Sequence, residues 1–233
     1  MSSLRDRSII VAGGAGGLGA ACVRLLAAEG ARVVASYLHN AARAAALSDL
    51  ATIIQADLTL AEDRARLLDA APALYGLVIY AGMAARRDDL LEQSLAVNFT
   101  GPLRLAREAA ARMRAAGAPG AIVFIASMQA GDVFPNSTPY SAPKAALVHA
   151  ARVLAKECRG PGEVRVNVVS PGVMEAGVAL ESIAAGKYQP FLDSGAIPRY
   201  GRPEDAARAV RLLLEPDCYI TGQVLTVDGG LTL

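Results

Sequence analysis

The chain is poor in the residues that staple or metallate small proteins. Tryptophan is absent, histidine occurs twice and cysteine three times in 233 residues. Cys22, Cys158 and Cys218 are odd in number, far apart and in no CxxC or Cys/His spacing, so buried apolar thiols are expected rather than a disulfide framework or a metal centre. His39 and His149 alone make a His-ligated metal improbable. Neither sign of charge dominates either: 23 basic and 22 acidic side chains leave a net charge of +1. Without a basic surplus to neutralise phosphates, neither nucleic acid nor a membrane surface is expected as a partner. Long apolar runs are missing as well. The uncharged stretches Pro72–Ala85 and Ala115–Gly131 contain Pro or Gly and fall short of the ~20 apolar residues that cross a bilayer. Arg5 and Arg7 ahead of the uncharged run Ser8–Val23 have the outline of a leader peptide, but five glycines spoil its apolar segment, and a cytoplasmic protein is expected.

What is present is apolar bulk, 53% of the residues. A chain of this length buries roughly 70–75% of its unfolded surface, which suits a single domain spanning residues 1–233. Short β-branched runs alternate with longer Ala/Leu/Arg-rich segments of helical period. Strands are expected at Ser8–Ala12, Arg32–Ser36, Thr52–Ala56, Gly76–Tyr80, Ala121–Ala126, Val164–Val169 and Val224–Val227. Helices are expected at Gly17–Glu29, Ala41–Asp49, Ala61–Ala71, Leu90–Ala116, Tyr140–Cys158 and Pro203–Leu214. Strands apolar on both faces and separated by helices predict a doubly wound, Rossmann-type α/β fold with a seven-stranded parallel sheet covered on both sides. The irregular segment 172–202 would lie at the carboxyl ends of the strands, as a substrate lid.

The first strand runs into Gly13-Gly14-Ala15-Gly16-Gly17-Leu18-Gly19 and then directly into a helix. Glycines there permit a tight turn and let backbone N–H groups and the helix N-terminus approach a pyrophosphate, so a dinucleotide is expected at Gly13, Ala15, Gly16, Gly17, Leu18 and Gly19. The spacing Gly13-x-x-x-Gly17-x-Gly19 resembles that of the short-chain dehydrogenase/reductase family, and further matches follow in order. Asp57, before Leu58, is similar to the family's adenine-contacting aspartate. Tyr80-Ala81-Gly82 resembles its Asn-Ala-Gly turn, Asn98 its helix asparagine, and Ser127 its strand-terminal serine. Tyr140 and Lys144 form its Tyr-x-x-x-Lys pair, and Pro171-Gly172-Val173 and Thr226-Val227-Asp228-Gly229-Gly230 complete a resemblance that spans essentially the whole chain.

The pair has a physical rationale. Residues four apart share a helix face, so the Lys144 ammonium beside the Tyr140 phenol would favour phenolate and lower a pKa otherwise about 10. As the resemblance implies, Tyr140 protonates the carbonyl oxygen as hydride arrives, Ser127 hydrogen-bonds that oxygen, Lys144 also holds the nicotinamide ribose and Asn98 anchors a proton-relaying water. His149 lies nine positions past Tyr140, half a rotation away, and should face elsewhere.

Three departures from the family stand out. Ala12 replaces Thr and Tyr80 replaces Asn, which predicts looser hydrogen bonding at the cofactor turn, and Ala176 replaces a Thr that contacts the nicotinamide carboxamide. The segment from Gly82 to Asn98, normally part of a subunit interface, is also short. At the end of the second strand, NAD-dependent relatives place an Asp at the position of Tyr37. Here Tyr37-Leu38 offers no acid to repel a 2′-phosphate, with Ser36, His39, Asn40 and Arg43 as phosphate partners, so NADP (NADPH) is favoured over NAD.

The family members most similar in look are 3-oxoacyl-acyl-carrier-protein reductases. Val178, Leu180, Ile183 and Phe191 would suit a hydrophobic ketone, small or carrier-bound, and Arg112, Arg114 and Arg159 would face an acidic carrier. The expectation is NADPH-dependent reduction of a 3-oxoacyl or polyketide-like ketone. The alternatives are an NAD(P)-dependent alcohol or sugar dehydrogenase and a non-catalytic dinucleotide sensor, the latter opposed by the intact set of Asn98, Ser127, Tyr140 and Lys144. The resemblance also implies a homo-oligomer, tetramer or dimer, paired through the long helices Leu90–Ala116 and Tyr140–Cys158 and the C-terminal strand.

Overall fold

The structure is a computed structural model and describes residues 4–233, the Val178 side chain excepted. In chain order the elements are β1 (Ser8–Ala12), α1 (Gly17–Ala28), β2 (Arg32–Tyr37), α2 (Ala41–Ala45), β3 (Ala51–Gln55), α3 (Ala61–Asp69), β4 (Leu74–Ile79), α4 (Leu91–Leu95), α5 (Gly101–Ala115), β5 (Gly120–Ile125), α6 (Thr138–Glu157), β6 (Val164–Pro171), α7 (Leu180–Ala184), α8 (Gln189–Asp193), α9 (Pro203–Leu214) and β7 (Val224–Val227). The strands form one parallel sheet in the order β3-β2-β1-β4-β5-β6-β7. Strand order reverses between β1 and β4, and the crevice outside their carboxyl ends is where such sheets bind ligands.

The strands are apolar at successive positions because both faces are covered. Ile10 and Ala12 of β1, with Ile122 and Phe124 of β5, meet Leu105, Ala109 and Met113 of α5 and Leu147 and Ala151 of α6. The alternate residues Ile9, Val11, Val123 and Ile125 meet Cys22, Val23 and Leu26 of α1 and Val210, Leu213 and Leu214 of α9. Each such Leu or Ile contributes on the order of 1.5–3 kcal/mol by leaving water. No helix among the described residues is long and apolar enough to cross a membrane.

Three elements differ from their sequence expectation. α2 stops at Ala45, four residues early. The expected helix Leu90–Ala116 is interrupted by a π turn at Ala96–Thr100 that carries Asn98. Pro102 explains the interruption: it has no N–H to give the Asn98 carbonyl four residues before it. Segment 172–202 is ordered rather than irregular. It contains α7 and α8, and its two ends are tied by a bridge between Met174 and Gly201, with Glu175 N donating to the Gly201 carbonyl at 2.8 Å and Gly201 N to the Val173 carbonyl at 2.9 Å.

Candidate active site

β1 ends at Ala12, whose carbonyl accepts the N–H groups of Tyr80 (2.8 Å) and Ala81 (3.1 Å) and so ties the ends of β1 and β4 together. The chain then turns at Gly13 with φ +77°, where a Cβ would sit 2.7 Å from the Ala81 nitrogen. A Cβ on Gly19 would lie 2.5 Å from the Gly13 carbonyl oxygen, so α1 can begin this close to the strand only with glycine at both places. α1 opens with no side chain capping its amides and no acid in its first turn. Gly16, Gly17, Leu18 and Gly19 bring those amides and the positive helix end to the wall of a cavity of about 770 Å³, an arrangement that fits a pyrophosphate.

The turn's backbone support is intact despite Ala12 and Tyr80, although the Tyr80 side chain adds no hydrogen bond to it. Besides the Ala12 carbonyl, the buried Ser36 hydroxyl supports the turn by accepting the Gly13 N–H at 3.0 Å. Ser36 is thereby a brace of the glycine turn and not a phosphate partner. Asn40 is also engaged, capping α2 by accepting the Arg43 N–H at 2.9 Å. Of the four residues expected near a 2′-phosphate, Arg43 is the one that lines the cavity. The Tyr80 hydroxyl is buried against the Cys22 thiol without a well-formed hydrogen bond, and burial pushes Tyr80 well above its ordinary pKa and Cys22 up to about 12.

Tyr80, Gly82, Asn98, Ser127, Tyr140, Lys144, Pro171, Gly172 and Val173 all reach the same cavity. Ala15, Tyr37, Leu38, Asp57, Leu58 and Ala81 do not line it. Ala15 is buried behind the turn, Tyr37 packs into the core beneath α1, and one Asp57 carboxylate oxygen accepts both the N–H and the hydroxyl of Thr59 (2.8 and 2.7 Å). His149 is exposed and outside the cavity, as its half-turn offset predicts. Arg112 and Arg114 end α5 beside the start of β5, the sheet edge opposite Ser127. Arg112 pairs there with Asp69 at 2.6 Å and Arg114 donates to the Glu157 carbonyl at 3.2 Å.

The chemical centre lies where α6 crosses the ends of β4 and β5. Asn98 is fully buried in the π turn. Its Oδ1 accepts the Met83 N–H at 3.0 Å, and its Nδ2 donates to the Met83 carbonyl (3.0 Å) and to Ser94 Oγ (2.7 Å). The asparagine thus fixes the loop after β4. Lys144 is buried, and its Nζ donates to the Ile125 carbonyl at 3.0 Å. Burial lowers its pKa from 10.5 to about 8.

Tyr140 departs from expectation. Burial raises its phenol above 10.0, a hydrogen bond with Ser127 opposes the rise, and the Tyr188 phenol adds to it. The Lys144 Nζ is turned to the Ile125 carbonyl and stands 6.0 Å from the Tyr140 ring centroid. What results is a protonated phenol held next to a serine hydroxyl.

Sequence reasoning missed two supports of this centre. Asp228 buttresses the Pro171–Gly172 turn: Gly172 N donates to the Val227 carbonyl at 3.0 Å, and a Cβ on Gly172 would be 2.6 Å from Asp228 Cβ. The lid has a small core of its own, in which Met128, Val173 and Tyr188 are joined by Phe134, Ile183, Phe191, Tyr200 and Leu231. Of the apolar set expected to meet substrate, Phe191 lines the cavity, Ile183 packs inside the lid and Leu180 is exposed, while the Val178 side chain lies outside the described residues.

A glycine turn suited to a dinucleotide, beside a half-buried Ser and Tyr and a buried Lys, defines the class of NAD(P)-dependent oxidoreductases. Residues 13–232 match the family model described as Enoyl-(Acyl carrier protein) reductase. The chain is 34% identical to cis-4-hydroxycyclohexanecarboxylate dehydrogenase of Sinomonas cyclohexanicum over 97% of each chain. It is 30% identical to a 3-oxoacyl-[acyl-carrier-protein] reductase of Synechocystis sp. over the full length of both. A solved short-chain type dehydrogenase/reductase from Mycobacterium ulcerans superposes with a TM-score of 0.90 at 28% identity, covering 98% of this chain and 90% of that one. The chain belongs to the short-chain dehydrogenase/reductase family and is an NAD(P)-dependent short-chain oxidoreductase.

Proposed function

We propose that the protein reduces a ketone, of the 3-oxoacyl or polyketide-like kind, to a secondary alcohol with NADPH. The observation that carries the reading is the Tyr140 phenol, raised above its ordinary pKa by burial and so protonated near neutrality, beside Ser127 in the cavity that both line. When bound, the nicotinamide dinucleotide supplies the hydride. The glycine turn and the opening of α1 would hold its pyrophosphate, and Arg43, with no acid at Tyr37 to oppose it, favours the 2′-phosphate. Ser127 would hydrogen-bond the substrate carbonyl oxygen, and Tyr140 would give it a proton. Lys144, with a pKa of about 8, exchanges protons near neutrality and stands one helical turn behind Tyr140. Asn98 holds the loop over the cavity rather than meeting substrate itself, and the lid excludes water.

Dehydrogenation of a hydroxy acid is the second reading, favoured by the similarity to cis-4-hydroxycyclohexanecarboxylate dehydrogenase. Self-association is part of the proposal, since Leu95 of α4, Val153 of α6 and the terminal Leu233 are exposed apolar side chains on the elements expected to pair. Steady-state assays with both cofactors over ketone and alcohol panels test the activity. Reduction faster with NADPH than with NADH is expected, and a preference for NADH would refute the cofactor assignment. Light scattering tests the assembly, against 24.0 kDa for one chain.

A further inference from the structure

The charged side chains around the cavity are all of one sign. Arg43, Arg86, Lys144 and Lys187 line it, and among the described residues no carboxylate does. Two of the four are accounted for: Arg43 stands beside the glycine turn, and Lys144 is buried on the Ile125 carbonyl. Arg86 and Lys187 belong to the other end. Arg86, on the loop after β4, donates to the Ser182 hydroxyl of α7 at 2.6 Å, and the Lys187 N–H donates to the Ser182 carbonyl at 3.0 Å, so both residues are anchored on one lid serine.

Neither cation has a carboxylate within ion-pair distance among the described residues. The neighbouring Arg87 is paired with Asp89, which leaves Arg86 without that acid. A guanidinium has five N–H donors, and the Ser182 bond uses one. The Lys187 ammonium is exposed, 5.7 Å from the Tyr188 ring centroid, and Tyr188 in turn interacts with Tyr140. The same cavity is also lined by the apolar side chains of Met128, Phe134, Val173 and Phe191 and by Tyr188.

We infer that Arg86 and Lys187 bind a carboxylate carried by the substrate at the end remote from its reacting carbon. The preferred substrate is then an oxo acid or hydroxy acid with an apolar body, and the two cations set specificity rather than chemistry. This rests on the oxidoreductase reading above and refines it. Two like charges lining one cavity are relieved by an anion bound there, and each charge-assisted bond discriminates against a neutral analogue.

The test compares each oxo acid with its own methyl ester. A panel of 2-, 3- and 4-oxocyclohexanecarboxylates and linear oxo acids is assayed with NADPH and with NADH, alongside a 3-oxoacyl coenzyme A thioester and its phosphate-free N-acetylcysteamine counterpart. We expect kcat/KM for the acid to exceed that for the ester by about tenfold, the scale of one charge-assisted hydrogen bond. That ratio should fall toward one in Arg86→Gln and independently in Lys187→Gln. It should persist in Ser182→Ala, which frees the lid contact but keeps both charges. Parity of acid and ester in the native protein would overturn the inference, as would an equal fall of the ratio in Arg24→Gln, a charge removed from the exposed side of α1. Preference for the coenzyme A thioester over its phosphate-free counterpart, with oxo acids at parity, would assign the cations to a carrier phosphate and overturn it likewise. Ester turnover without acid preference removes this inference alone, whereas failure of every ketone and alcohol removes the oxidoreductase reading with it.

Discussion

The glycine turn and the lid close the same cavity from two sides, and they are made by different means. The turn is held largely by backbone: the Ala12 carbonyl takes two N–H groups from the end of β4, and one side chain, the Ser36 hydroxyl, accepts the Gly13 N–H. Its shape is dictated by where a Cβ cannot be. The lid is tied by backbone at its stem, between Met174 and Gly201, but beyond the stem it leans on side chains, a small apolar cluster and the Arg86–Ser182 bond, around two five-residue helices. A site for a constant ligand can be fixed by main chain, which changes little on substitution, whereas a site for a variable ligand is made of side chains that can be exchanged singly.

The sharpest way to separate the two sides is to remove the chemistry between them. Tyr140→Phe is expected to lower turnover by about 10²–10⁴-fold while leaving NADPH binding intact, since a general acid is lost and no cradle atom is touched. Single-turnover rates and a fluorescence titration check both halves, and near-normal turnover would refute the role of Tyr140.

Next in size is a pH effect on stability. Lys144 titrates near 8 in the folded protein and at 10.5 in the unfolded chain, so burial of its charge is a full cost below pH 8. As pH rises from 8 to 10.5 the folded state loses the proton first, the unfolded state binds more protons, and stability increases, by at most about 3 kcal/mol. Urea unfolding of the cofactor-free protein and of Lys144→Met across this window gives the difference, in which other groups cancel. A flat difference would show that the lysine is better solvated than its surroundings indicate.

Gly19→Ala strikes the backbone side, forcing a Cβ to within 2.5 Å of the Gly13 oxygen. A loss of about 1–3 kcal/mol in stability, with weaker NADPH binding, is expected. Phe191→Ala, the matching change in the lid, should raise KM for apolar ketones severalfold and alter the urea midpoint less than Gly19→Ala does. Equal stability losses would erase the contrast. Smallest is Arg43→Ala, expected to weaken NADPH binding by about tenfold or less, as suits one exposed ion pair, and to leave NADH unaffected.

The backbone side was the legible one. Glycines spaced as Gly13, Gly17 and Gly19 between a β-branched run and a helical period have few other uses, and the strands at Ser8–Ala12 and Val224–Val227 match the structure residue for residue. Ser36 was not legible as a brace, because a serine at a strand end reads the same whether it meets solvent, phosphate or a neighbouring loop. The π turn was hidden by the even Ala/Leu/Arg period of Leu90–Ala116, although Pro102 marked where it had to fall. The lid core was read only in part: Ile183 and Phe191 stood out as apolar, but Met128 and Phe134, Tyr188 and Leu231 come from three separate stretches and signal nothing until they meet. The Tyr140 phenol shows the same limit, since i and i+4 spacing places Lys144 nearby but does not say that Nζ turns to Ile125.

One contact links the two sides. A Cβ on Gly17 would lie 2.7 Å from the Gly177 nitrogen, so the stem of the lid rests directly on the turn proposed to take the pyrophosphate. Gly17 and Gly177 line the cavity together, and Phe134 and Phe191 line it with Tyr140. Under the proposed reading an ordered sequence is expected, with the dinucleotide first on and last off. In kinetic language, the oxidised dinucleotide should compete with NADPH and the alcohol should not.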